Sequence, residues 1–288
     1  MAPGVKAAII RTVLIIFGFL LVTSLWGFYI SIRPPRILSS LTPKDLQLDY
    51  EKVRFKTSDG LTLKGWFIPS QKATKKTVIL LHGYPADKGD ILPAISFLQK
   101  DYNLFLFDFR YLGESEGSYS TAGANEVQDL LAAIQFLKAK GIKDVGVWGF
   151  SMGGAVALMG IKKAPEIKAV IAEASYASLA LMAPELFRIP LLKYPLAYLV
   201  GLWVKIFLGI DIRDVSPAKA VQDTTIPLLL IHSVADDVIP FSHAQLLRKA
   251  LEKNPRSEFW FRTTLSHGEL GQEYQERIGG FFHRHLSE

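Results

Sequence analysis

The longest apolar run lies near the start of the chain. Thr12 to Ile32, TVLIIFGFLLVTSLWGFYISI, is 21 residues without a charge and apolar on every helical face. At a helical rise of 1.5 Å per residue this reaches roughly 30 Å, the thickness of a bilayer core. Trp26 and Tyr29 stand toward its end, where interfacial aromatics belong. Arg33-Pro34-Pro35-Arg36 follows, and the prolines stop the helix. A secretory signal peptide is the rival reading, but its apolar region is shorter, about 7–15 residues, and ends in a small-x-small site. The end of this run, WGFYISIRPP, offers no such site. Residues 1–36 therefore read as an uncleaved membrane anchor with its span at about 12–32.

Beyond a linker near Arg33–Pro43 the apolar period shortens. YEKVRFKTSDGLTLKGWFIPS alternates on both sides of Asp59-Gly60, which predicts a hairpin. TVILLHG from Thr77 and NLFLFDFR from Asn103 are continuous apolar runs, as in strands covered on both faces. Asp90–Gln99 reads as a helix, and Val127, Leu130, Leu131, Ile134 and Leu137 recur at helical spacing. Further strands are predicted at Asp144–Gly149, from Ile167, from Ile226 and at SEFWFRT, with helices at Ser242–Lys253 and Gln272–His285. Such alternation predicts a mostly parallel sheet with helices on both faces and antiparallel strands at one edge. Active sites of such sheets sit at the carboxyl ends of the strands. His82, Asp108, Ser151, Glu173 and Asp236 all fall at predicted strand ends.

Residues 176–223 break the alternation with an apolar, proline-punctuated insertion. Lys193, Pro195 and Lys205 confine its charge-free helical stretch to 11 residues, too short to cross a bilayer. A small helical lid walling a pocket fits it better.

Charge and composition narrow the function. The net charge is +6, but Lys6, Arg11, Arg33 and Arg36 precede any acid, so the basicity is partly a membrane-flank signal. No basic stripe with interleaved aromatics is present, which argues against a nucleic-acid partner. The chain has no cysteine, which excludes disulfides, thiolate nucleophiles and Cys-based metal sites. His283 and His285 are two apart on a predicted helix and face different directions, so no metal pair is expected there. Charges on the two sides of the span nearly balance. The usual direction of an uncleaved signal-anchor then carries the C-terminal domain out of the cytoplasm.

The candidate chemistry centres on Gly149-Phe150-Ser151-Met152-Gly153, where a predicted strand passes into a predicted helix. G-x-S-x-G alone is common. In a strand–turn–helix setting it is a nucleophile elbow, with Ser151 on a strained turn and the N–H of Met152 as an oxyanion donor. Acyl transfer also needs a base and an orienting carboxylate. His267 in LSHGEL follows the last strand, and Asp236 in HSVADDVIP follows the strand before it. Asp237 stands beside Asp236 as a rival acid, and Glu173 is a more distant one. His82 reads as a buttress of the oxyanion loop, His232 as a buried strand residue. Asp108 and Arg110 read as a charge-assisted pair bracing the loops beneath the site.

The order Ser151, Asp236, His267, together with HGY at His82, DFRYLGESEG at Asp108, GFSMGG at Gly149, DDVIP at Asp236 and SHG at Ser266, resembles the α/β-hydrolase superfamily. Within it the chain looks most like N-terminally membrane-anchored esterases and thioesterases related to the prolyl oligopeptidase-type catalytic domain. Tyr111 stands where the family often has Gly after its DxR motif. The resemblance covers about Tyr50 to His285 and implies an α/β-hydrolase domain over residues 37–288. It also implies Tyr84 as the second oxyanion donor, through its backbone N–H. The expected protein is a membrane-anchored serine hydrolase that cleaves esters or thioesters of small or lipid-like acyl groups without metal or cofactor. A serine peptidase with the same triad and a catalytically silent binding protein are the alternatives. Every triad residue lies far downstream of the span, so a chain starting near Leu38 is expected to be soluble and active.

Overall fold

The Asp59-Gly60 turn closes the predicted hairpin. In the computed structural model, β1 (Glu51–Lys56) pairs antiparallel with β2 (Thr62–Ile68), and Gly60 takes the positive φ of 90° that the turn demands. The structure describes residues 3–187 and 190–286; Arg188 and Ile189 of the predicted lid lie outside them, as do the first two and last two residues. The continuous apolar runs form β3 (Thr77–Leu81), β4 (Asn103–Phe107), β5 (Val145–Phe150), β6 (Ile167–Glu173), β7 (Leu228–Ser233) and β8 (Ser257–Arg262). They build one eight-stranded sheet in the order β1-β2-β4-β3-β5-β6-β7-β8, antiparallel through β2–β4 and parallel from there on.

Both faces of the sheet are covered, which is why its central strands need no polar alternation. One face packs against α3 (Glu126–Ala139) and α4 (Met152–Gly160), with Phe55, Phe107, Leu130, Val147 and Val156 in a common core. The other packs against α2 (Leu92–Ile95) and the closing helix α9 (Tyr274–His285), through Leu80, Trp148, Ile278 and Phe282. The predicted helix at Asp90–Gln99 is only one α turn followed by a 3₁₀ segment at Ser96–Lys100.

The insertion after β6 is helical, as expected: α5 (Leu179–Met182), α6 (Lys193–Leu208) and α7 (Pro217–Ala220) precede β7, and α8 (Phe241–Ala250) follows it. The N-terminal run is the single helix α1 (Pro3–Ile32), long and apolar enough to cross a membrane. Its buried residues are Ser24, Gly27, Phe28 and Ile32, one face at helical spacing. That face packs against α6, where Phe28 and Ile32 cluster with Val200 and the Trp203 Nε1–H donates to Ser24 Oγ at 3.0 Å.

The segment read as a linker is instead a strap bonded to the domain. The Tyr84 hydroxyl donates to the Ser31 carbonyl at 2.7 Å, and the Tyr111 hydroxyl to Pro34 at 2.9 Å. Ser120 N–H donates to Ile32 O at 2.8 Å, and Arg36 reaches the carbonyls of Ser115 and Gly117. Pro34-Pro35 made the segment look like a connector, but proline stiffens a chain against a surface equally well.

Candidate active site

Ser151 sits between β5 and α4 with φ 55° and ψ −117°. A non-glycine residue rarely adopts this backbone, and here the surrounding packing holds it. A Cβ on Gly153 would run into the carbonyl oxygens of Leu81 and His82, and one on Gly149 into the backbone of Gly153. Only glycine lets strand and helix close this tightly around the serine. Ser151 N–H is fixed by Glu173 O at 2.8 Å, while its side chain makes no capping bond to α4. The hydroxyl is left free of the helix that follows it.

His267 lies five residues beyond β8, on a loop laid over Phe150, the residue before the serine. The imidazole and Phe150 ring centroids are 4.7 Å apart. His267 Nδ1 is 2.8 Å from Asp236 Oδ2. The other carboxylate oxygen, Oδ1, accepts from Val238 N–H at 2.9 Å and Ile239 N–H at 2.8 Å. Burial alone pushes the Asp236 carboxyl upward, but the bonds from His267 and the two backbone donors outweigh it and hold its pKa below the ordinary 3.8. Asp237 accepts the backbone N–H of His267 at 3.3 Å and does not meet the imidazole in the contacts described. The two neighbouring carboxylates, which spacing could not separate, thus take different partners.

The other candidates separate in the same way. Glu173 is fully buried and turned toward Arg262 Nη2 at 3.0 Å and the Tyr274 hydroxyl at 2.6 Å. Burial raises its carboxyl pKa. Arg262 in turn donates to Glu269 O at 2.9 Å, on the loop that carries His267. His82 Nε2 accepts from Phe109 N–H at 3.0 Å, so the proton sits on Nδ1, which meets Gly83 O at 2.7 Å. Burial keeps this imidazole neutral, as a buttress of the loop should be. His232 is also buried, with Nε2 2.9 Å from Ile239 O.

Asp108 and Arg110 brace the loops but not by pairing with each other. Asp108 takes Lys88 Nζ at 2.7 Å and two backbone N–H groups. Arg110 binds Asp129 at 2.7 Å and Asp59 at 2.8 Å. Lys88 was not singled out from the sequence, because a lysine seven residues past a strand looks like solvated surface; here it is buried against Asp108, Glu114 and the Trp66 ring.

The His82-Gly83-Tyr84 loop passes close to the serine, with the Gly83 backbone facing Ser151 Cβ. Neither Tyr84 N–H nor Met152 N–H donates to another backbone group among the turns and loops described. A cleft of about 310 Å³ borders His267, lined by Ile91, Phe150, Glu173 and Leu270. Among the described residues no cluster of three or more His, Cys, Asp or Glu side chains could hold a metal ion.

A serine on a strained strand-to-helix turn and an imidazole bonded to Asp236 both stand on a mostly parallel sheet with an antiparallel edge, and comparison with known proteins gives the fold family. Residues 76–203 match the alpha/beta hydrolase fold family. The chain is 34% identical over 215 residues to the uncharacterized protein YfhR of Escherichia coli O157:H7, covering 72% of this chain and 69% of that one. It is 30% identical to the alpha/beta hydrolase domain-containing protein WAV2 of Arabidopsis thaliana, covering 76% and 72% of the two chains. The structure of the Pyrococcus furiosus esterase Pf2001 superposes with a TM-score of 0.73 at 32% identity, over 89% of this chain and 99% of that one. The chain belongs to the alpha/beta hydrolase fold family.

Proposed function

We propose that this protein is a membrane-anchored serine hydrolase that cleaves carboxylic esters, with thioesters open to the same chemistry. The observation that carries the reading is the strained Ser151 backbone at the β5–α4 turn, with an imidazole packed on the neighbouring Phe150 ring and held at 2.8 Å by a buried carboxylate. The esterase likeness of the Pyrococcus protein points to the same bond type. His267 takes the Ser151 Oγ proton as the oxygen attacks the acyl carbon, and Asp236 orients the ring and balances the imidazolium. The N–H groups of Met152 and Tyr84 hold the oxyanion; one such donor is worth about 10²–10³ in rate. His267 then protonates the leaving alcohol or thiol, and water releases the acyl group by the reverse sequence. The apolar α1 supplies the anchor, and the catalytic domain lies outside the cytoplasm.

A fluorophosphonate probe tests the class. It should label the wild type and not Ser151→Ala, and that variant should lose about 10⁴–10⁶ of its ester turnover while staying folded. Labelling or near-normal turnover of pure Ser151→Ala would sink the reading.

A further inference from the structure

Helix α6 is too short in its charge-free part to cross a bilayer, yet its outward face is apolar. Tyr194, Tyr198, Leu202 and Ile206 stand four residues apart, and Tyr194 and Tyr198 are 65% and 74% exposed. Lys193 and Lys205 bracket the charge-free stretch, each paired with a carboxylate, Glu185 and Asp211, at 3.2 Å. Exposed side chains of this size on one ridge mark an interaction surface.

The position of α6 against α1 says what covers it. α6 crosses α1 at Ser24–Ile32, through Val200, Trp203 and a Phe28–Phe207 ring contact of 5.5 Å between centroids. Gly27 faces Val200 of α6 and the Phe187 ring. Ser24–Ile32 is also the last nine of the 21 residues of the charge-free stretch Thr12–Ile32. A helix that crosses a spanning helix within its span sits at membrane depth itself. Exposed aromatics of the kind found at membrane interfaces stand on both helices: Trp26 and Tyr29 within the crossing on α1, and Tyr194 and Tyr198 on α6.

We propose that α6 lies in the bilayer interface with its Tyr194–Ile206 ridge against lipid, so that the catalytic domain is seated in the membrane and not tethered above it. This rests on the anchor reading above. The reactive serine is then close to lipid: the Ser31 carbonyl at the end of α1 is bonded to the side chain of Tyr84, whose loop touches Ser151. The substrate class that follows is an acyl ester partitioned into the membrane. Interfacial helices bind through buried apolar area, with attraction of cations to anionic headgroups added to it.

The chain has no cysteine, so single-cysteine variants report one position each. Full-length Tyr198→Cys, Ile16→Cys and Lys143→Cys, each carrying an environment-sensitive fluorophore, are reconstituted in phosphatidylcholine vesicles. Doxyl-labelled lipid should quench the probes at 198 and 16, and aqueous iodide only the probe at 143. A probe at 198 quenched by iodide and not by doxyl lipid, with 16 still lipid-quenched, overturns the α6 proposal and leaves the anchor standing. Iodide quenching at 16 overturns both. Protection of 198 from both quenchers also overturns the proposal, because protein then covers the ridge. Tyr194→Lys with Tyr198→Lys should lose hydrolysis of a long-chain ester dissolved in vesicles and keep that of a short soluble ester; equal retention of both counts against seating.

Discussion

Two adjacent aspartates with the same side chain end up in different chemistry. Asp236 turns inward, where Val238 and Ile239 offer N–H groups and His267 offers Nδ1; Asp237 reaches only the backbone of the histidine loop. Asp236→Asn should therefore lower kcat by about 10²–10⁴, because the imidazole loses the carboxylate that fixes its tautomer. Asp237→Asn should cost far less, and steady-state kinetics showing the reverse ranking would move the acid to Asp237. The pH dependence carries a sign as well. The folded carboxyl of Asp236 titrates below the unfolded value of 3.8, so its charged form favours the folded state. That contribution is fully present above pH 3.8 and is lost as the pH falls through the lower folded value. The urea midpoints of wild type and Asp236→Asn should differ near neutrality and converge in strong acid.

Among the elements, the loop after β8 depends most on a buried polar network. Glu173 at the end of β6 holds Arg262 at the end of β8, and Arg262 holds Glu269 O two residues past His267. Arg262 side chains of this kind fix geometry through several donors at once. Arg262→Met leaves Glu173 buried without its cation and should destabilise the fold by about 3–5 kcal/mol. Adding Glu173→Gln should recover part of the loss, since the uncompensated charge is then gone. Chemical denaturation of the two variants checks this, and a double variant less stable than the single one would exclude the network as the cause. The same sequence window shows why the network was not foreseen. SEFWFRT announces a strand, but whether its arginine faces water or a glutamate two strands away depends on the order β6-β7-β8.

For the molecule as a whole, the strap changes what the N-terminus is for. A chain beginning at Leu38 keeps every proposed catalytic residue but loses the Ser31–Tyr84, Ile32–Ser120, Pro34–Tyr111 and Arg36 bonds. It also bares Val200 and Trp203, which α1 covers. Each such bond that is shielded from water is worth about 1 kcal/mol net, the exposed Arg36–Gly117 bond less. The truncated chain should unfold at lower urea than the full chain in detergent and turn over a short soluble ester more slowly, with Tyr84 no longer held. Equal stability and turnover would return the segment to the status of a linker.

The sequence by itself determined much of this protein. Periods of two and of about three and a half residues, with the continuous runs of a covered sheet, were enough for the α/β alternation, for the strand ends near Ser151 and Asp236 and for the loop after the last strand that carries His267. Gly149 and Gly153 marked the elbow because close backbone approach leaves a local trace. The resemblance favoured Asp236 over Asp237, and tertiary structure gave the contact itself, because both stand on one turn and differ only in direction. It also decided that Asp108 and Arg110 take separate partners, that Lys88 is buried, and that residues 31–36 bind the domain. Each of those outcomes depends on groups brought together from 19 to 79 positions away in the chain. Local pattern encodes which face of an element turns inward; the partner found there is set by the order in which the strands assemble.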